Sequence, residues 1–195
     1  MGKLSDLAAQ RFGMEYTVAE DTPGLETLTS ILSHRTHRRF TDGEVSDDTL
    51  NLLYACALSA PAKSDLQQAA IIRVRDPGKR QAIADLMPEM GWIGTCPVFL
   101  LFCGDSRRIR KLSELRGHPF ANDHLDAFLN AAVDTALAMQ NFITAAQAAG
   151  LGCCPISVVR NHIDAIAEIV ALPEYVFPVA GMCLGYPSHA GFTST

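Results

Sequence analysis

The chain has little basic charge: 16 Lys and Arg stand against 21 Asp and Glu, a net charge of −5 over 195 residues. That balance argues against nucleic acid as the main partner, a role that needs a basic face. Its six cysteines (Cys56, Cys96, Cys103, Cys153, Cys154, Cys183) include no Cys-x-x-Cys, and most lie inside apolar runs. Residues 1–14 are polar and amphipathic, without the apolar stretch of an export signal. Unbridged thiols in a reducing cytoplasm are therefore the expectation. No apolar run reaches the ~20 residues of a membrane span. The richest, residues 131–151, is broken by Asp134, Gln140, Asn141 and Gln147.

Several chemistries also lack their signatures. No phosphate-binding Gly-x-x-x-x-Gly-Lys-Ser/Thr occurs, since Gly78-Lys79 is followed by Arg80. Gly150-Leu-Gly152 follows a helical pattern and leads into a strand-like one, the reverse of a dinucleotide fingerprint. There is no Gly-x-Ser-x-Gly elbow. His34 with His37, and His118 with His124, could supply metal nitrogens. Neither pair has a Cys or carboxylate at a standard zinc spacing, and no metal is expected.

What is present reads as one domain of ordinary size, able to bury roughly 70% of its unfolded surface without disulfides or metal. Residues 5–12 form a short helix, and Leu25, Leu28, Ile31 and Leu32 recur at helical spacing. Ser46 caps a helix running to about residue 59, with Asp47 and Asp48 in its first turn. Strands are expected at 69–74, 97–103, 153–156 and 176–184, and helices at 77–87 and 161–171. Between residues 123 and 149 no Gly or Pro interrupts a helical pattern of ~40 Å. Leu125, Phe128, Leu129, Ala132, Val133, Ala136, Met139 and Ile143 crowd one broad side of it, so it is buried in the core or in a subunit interface. The order gives an α+β fold, a small mixed sheet around a long central helix.

Three segments could carry chemistry. The cluster His34-Arg-Thr-His-Arg38-Arg-Phe40 puts three arginines within five positions of an acidic chain. It is either a solvated helix C-terminus or an anion site built from Arg forks and a Thr hydroxyl. Residues 59–67 are small and turn-forming, either a plain connection or a loop that lets backbone approach a flat ligand, with Gln67 offering both donor and acceptor. Cys153-Cys-Pro-Ile-Ser157-Val158 is either an ordinary turn or one that aims a backbone N–H at a ligand.

Taken in this order, the three segments resemble the nitroreductase family. The likeness continues through Leu66-Gln-Gln, Ile71-Ile-Arg73, Val133-Asp-Thr-Ala136, Gln140-Asn141, Gly150-Leu-Gly152, Val159-Arg-Asn161 and Leu184-Gly-Tyr-Pro187. It covers residues 30–187. Residues 1–29 then stand as an N-terminal extension to a domain of residues 30–195, in which the family's C-terminal arm is short or missing.

The resemblance implies a homodimer holding FMN at its interface, with both chains around each flavin and NADPH or NADH as transient electron donor. His34, Arg35 and Thr36 would serve mainly the phosphate, His37 would also bind the cofactor, and Arg38 would sit at the flavin N1–O2 edge. Ala62, Lys63, Ser64 and Gln67 would line the ribityl chain and pyrimidine. Pro155, Ile156, Ser157 and Val158 would lie along the side that includes N5. No side chain is implied as an indispensable acid, base or nucleophile; the flavin carries the chemistry. Nitroaromatics, quinones or flavins would accept electrons in a ping-pong cycle, the alternative being a non-catalytic FMN-binding or regulatory protein of the same fold, and residues 105–122 are expected as a loop bordering the acceptor pocket.

Overall fold

A computed structural model of the chain describes residues 3–14, 16–19 and 21–189. Helices α1 (Lys3–Phe12), α2 (Leu25–Leu32) and α3 (Asp47–Leu58) come first. Strand β1 (Ala69–Arg73), helices α4 (Pro77–Asp85) and α5 (Trp92–Thr95), strand β2 (Val98–Asp105) and helix α6 (Arg107–Arg116) follow. Helix α7 (Leu125–Ala148), strand β3 (Gly152–Ile156), helix α8 (Ile163–Val170) and strand β4 (Val176–Gly185) complete the order.

Local chemistry sets the boundaries. Ser46 Oγ accepts the Thr49 N–H at 3.1 Å and opens α3. Asp76 Oδ1 accepts the Lys79 N–H at 2.8 Å and opens α4, with Pro77 in its first turn. Gly150, at φ 76°, takes the left-handed conformation that ends α7.

The sheet runs β1-β2-β4-β3, and each ladder is antiparallel. The mixed character expected of it comes down to one isolated parallel bridge, Thr36 to Cys153, at the β3 edge. Strand β2 is buried at every position because helices cover both faces. Val98, Leu100 and Phe102 pack with Leu50 and Leu53 of α3 and Phe142 and Ala146 of α7. Phe99, Leu101 and Cys103 pack with Ile83 of α4, Ile93 of α5 and Ile166 of α8. Each large side chain so buried contributes ~1.5–3 kcal/mol, and the two-sided burial explains the unbroken apolar run.

Helix α7 lies across one sheet face against β1, β2, β3 and α3. Its inward side differs from the one the apolar pattern suggested. Ala127, Ala131, Asp134, Thr135, Ala138, Phe142, Ile143 and Ala146 are buried, while Leu125, Phe128, Leu129 and Val133 face outward. Small residues face the sheet because they let the helix approach it closely. The large apolar ones form an outer stripe, in which Phe128 stacks on Phe177 of β4 with ring centroids 4.9 Å apart. The expected loop at 105–122 is largely helical: Asp105 Oδ1 accepts the N–H groups of Arg107 at 3.0 Å and Arg108 at 3.2 Å, which starts α6. No helix among the described residues is long and apolar enough to cross a membrane.

Candidate functional site

The cluster at 34–38 leaves α2 and runs beside β3. His37 donates its backbone N–H to the Cys153 carbonyl at 2.9 Å, next to the Thr36–Cys153 bridge. Gly152 makes room for this: a Cβ there would meet the His37 Cβ at 2.7 Å. His34 Nδ1 bonds Gln147 Oε1 of α7 at 3.0 Å, and Arg35 Nη1 donates to the His34 carbonyl at 2.9 Å. A hollow of about 150 Å³ opens here, lined by Ser33, His34, Arg35, His37, Gln147 and Cys153 among others. The Arg38 guanidinium lies 5.9 Å from the Trp92 ring centroid, beside the Cys154 thiol.

Among the described residues none of His34, Arg35, Arg38 or Arg39 is in an ion pair. The buried Nδ1 of His37 has no hydrogen-bond partner in the described part of the chain. Burial holds the His37 pKa below its ordinary value; the charges of His189, His34 and Arg35 push the same way, and a hydrogen bond with the His189 backbone opposes them. Clustered cations with an orphaned ring nitrogen favour an incoming anion over further positive charge.

At the far end of β3, Pro155 and Ser157 are exposed and Val158 is half-buried. Ile156 lies deeper. Its side chain is 2% exposed and packs into the core with Phe99 and Leu101, so only its backbone can face a ligand. The clusters at 34–38 and 155–158 are thus brought together along one strand.

The second segment lies elsewhere. Residues 62–67 fold into a tight turn in which Ser64, Asp65 and Gln67 all take positive φ, at 51°, 54° and 51°. Such backbone is strained for non-glycine residues and persists only where its surroundings over-determine it. Asp134, 3% exposed on α7, does so: its carboxylate accepts the Lys63 N–H at 2.9 Å and the Gln68 N–H at 3.2 Å. Arg108 Nη1 adds a bond to the Gln67 carbonyl at 2.9 Å. Ala62 and Gln67 line a cavity of about 380 Å³ with Tyr54, Ala57, Ile71, Arg108 and Ala138. The buried Tyr54 hydroxyl has no partner among the described residues. Lys63 and Ser64 are exposed.

Two anchors on α7 measure the gap. Asp134 holds the 62–67 turn and Gln147 holds His34, 13 helical residues apart, or ~20 Å. One chain does not bring the turn and the cationic cluster together.

Sequence reasoning left Trp92, Arg108 and Asp134 without roles. Trp92 is the chain's single tryptophan, which is the one signal that could have marked it. Asp134 is an acid in the middle of an apolar helix, a placement that needs buried donors to satisfy it. Among the described residues no group of three or more His, Cys, Asp and Glu could hold a metal ion.

Residues 31–186 match the nitroreductase family. An FMN reductase [NAD(P)H] of Bacillus subtilis is 35% identical over 167 residues, covering 84% of this chain and 66% of that protein. The oxygen-insensitive NADPH nitroreductase of Salmonella typhimurium is 36% identical over 163 residues, covering 83% and 66%. In three dimensions the chain is similar to NfrA2 of B. megaterium, with TM-score 0.84 and 35% identity over 87% of this chain and 70% of that one. The chain spans about two thirds of the length of the curated relatives it matches.

Proposed function

Because the chain belongs to the nitroreductase family, we propose that it is an FMN-dependent oxidoreductase, taking electrons from NADPH or NADH and passing them in pairs to nitroaromatics, quinones or flavins. The observation that carries this reading is the cationic cluster at 34–38, without an ion pair among the described residues and set against β3 with a hollow beside it. That donor set fits a phosphate. Arg forks and a Thr hydroxyl supply charge-assisted hydrogen bonds of ~1.5–3 kcal/mol each.

His34, Arg35 and Thr36 would hold the phosphate, with His37 behind them. Arg38 would put positive charge at the pyrimidine edge, where two-electron reduction leaves negative charge. Pro155, Ser157, Val158 and the backbone of Ile156 would border the N5 side. The turn carrying Ala62, Lys63, Ser64 and Gln67 lies ~20 Å away along α7, so it would serve the flavin of a second copy. The outward stripe of Leu125, Phe128, Leu129 and Val133 supports a homodimer, since large apolar patches mark association surfaces. Bound FMN would supply the redox chemistry, accepting a hydride from the nicotinamide and releasing two electrons to the acceptor. The six unbridged cysteines support a reducing compartment, and the cytoplasm is the compartment proposed.

An absorbance spectrum tests the proposal. A yellow protein, bleached by NADPH or NADH and recoloured by a quinone or nitro compound, is expected. Colour that persists under excess of both coenzymes would leave a flavin-binding protein without turnover, and a colourless protein that ignores added FMN would end the reading.

A further inference from the structure

A further arginine, from a part of the chain outside the family match, reaches the segment that carries Arg35. Helix α1 precedes residues 31–186 and packs on α2, and its Leu4 and Ala8 are buried. Its last turn carries Arg11. The Arg11 Nη1 donates to the carbonyl of Leu32, the last residue of α2, at 3.2 Å, and to that of His34 at 3.3 Å. Arg35 Nη1 donates to the same His34 carbonyl at 2.9 Å. Two guanidinium groups therefore meet at one oxygen, with no carboxylate paired to either among the described residues.

Bringing two arginines together is unfavourable unless something negative offsets them. One carbonyl offers only a partial charge, shared between both. Each guanidinium has five N–H donors in a fixed fork, and these contacts use one nitrogen of each. An acidic chain with 21 carboxylates could place one here, and none of the described ones is paired to either group. The adjoining hollow, lined by His34, Arg35 and His37, is where an anion would relieve the repulsion.

We propose that Arg11 belongs to the anion site: together with Arg35 it neutralises the phosphate of the bound flavin nucleotide, making the N-terminal helix part of the binding machinery. This rests on the reading of 34–38 as a phosphate site. It gives α1 a role in cofactor recognition beyond packing on α2.

The test compares FMN with riboflavin, which lacks the phosphate, by fluorescence titration of flavin-free full-length protein. Wild type is expected to prefer FMN strongly. Arg11→Gln should weaken FMN binding about tenfold or more, the scale of one lost charge-assisted bond, while riboflavin binding changes less than about twofold. Arg11→Lys, which keeps the charge, should retain most of the preference and serves as the folded control. If Arg11→Gln weakens both ligands equally, or neither, Arg11 is only a helix tie and the inference is overturned. If Arg11→Gln does not fold, Arg11→Lys decides: a preference unchanged by raised salt in both wild type and Arg11→Lys would overturn it. If wild type itself does not distinguish the two flavins, the phosphate reading falls, and this inference with it. Loss of preference in Arg35→Gln but not in Arg11→Gln would remove Arg11 alone.

Discussion

The buried carboxylate of Asp134 accepts the backbone N–H of Lys63 at 2.9 Å, tying the middle of α7 to a turn built from left-handed residues. A second bond, to the Gln68 N–H, uses the other oxygen. Asp134→Ala strands two donors and releases a strained turn, so a loss of ~2–4 kcal/mol is expected. Thermal melts check the loss, and limited proteolysis should cut first near residues 62–67. A variant melting within a degree of wild type would show that the turn holds itself.

Cysteine accessibility gives a second prediction. Burial pushes the Cys103 and Cys153 thiols up to about 12. Cys96, Cys154 and Cys183 are also buried, leaving only Cys56 partly open. Because the thiolate is the reacting form, native protein at neutral pH should react with a thiol-exchange dye at no more than one position, and denatured protein at all six. Rapid labelling of several thiols in the native state would contradict the packing around β2 to β4.

Two glycines should separate stability from binding. A Cβ on Gly104 would sit 2.4 Å from the Phe177 ring, within the β2–β4 ladder. Gly104→Ala is therefore expected to cost ~1–3 kcal/mol through overpacking. Gly152→Ala would press on His37 instead, displacing the segment that carries Arg35 and Arg38. Its expected effect is weaker FMN retention at a modest loss of stability, read by flavin release alongside a melt.

The outward stripe of α7 predicts association. Val133→Asp puts a charge where an apolar side chain is 47% exposed in one chain. In a monomer such a change is worth within ~0.5 kcal/mol. In a dimer it should dissociate the subunits, visible by sedimentation, and release flavin together with the partner.

Acid sensitivity should trace in part to His37. Its folded pKa lies below the ordinary value near 6.5, chiefly through burial and then through His189. The unfolded chain therefore binds a proton that the native one resists. This destabilising contribution is absent above ~6.5 and grows as pH falls toward the folded pKa. His37→Gln should flatten the stability profile across that window, measured by denaturant midpoints. An unchanged profile would assign the sensitivity to other groups.

Much of the fold was legible in the sequence because period and boundary chemistry agree. Ser46 caps α3, and 97–103 reads as a buried strand. The inward side of α7 was not legible. A hydrophobic pattern records which residues avoid water but not which partner covers them, so Ala131 and Ala138 took the sheet while Leu129 and Val133 were left for another surface. The cationic cluster was visible as composition. Its neighbours Trp92 and Arg11 were not, because each reaches it from a separate segment through a contact that only the folded chain creates.

The distance along α7 between the anchors of turn and cluster has a genetic consequence. If each catalytic pocket draws its cationic cluster from one subunit and its turn from the other, two different lesions need not lie in the same pocket. Co-expressing an Arg35→Gln chain with an Asp134→Ala chain would give mixed dimers in which one pocket inherits both defects and the other none. With random pairing, about one pocket in four is wholly wild type, so two defective alleles would complement each other where neither supports turnover alone.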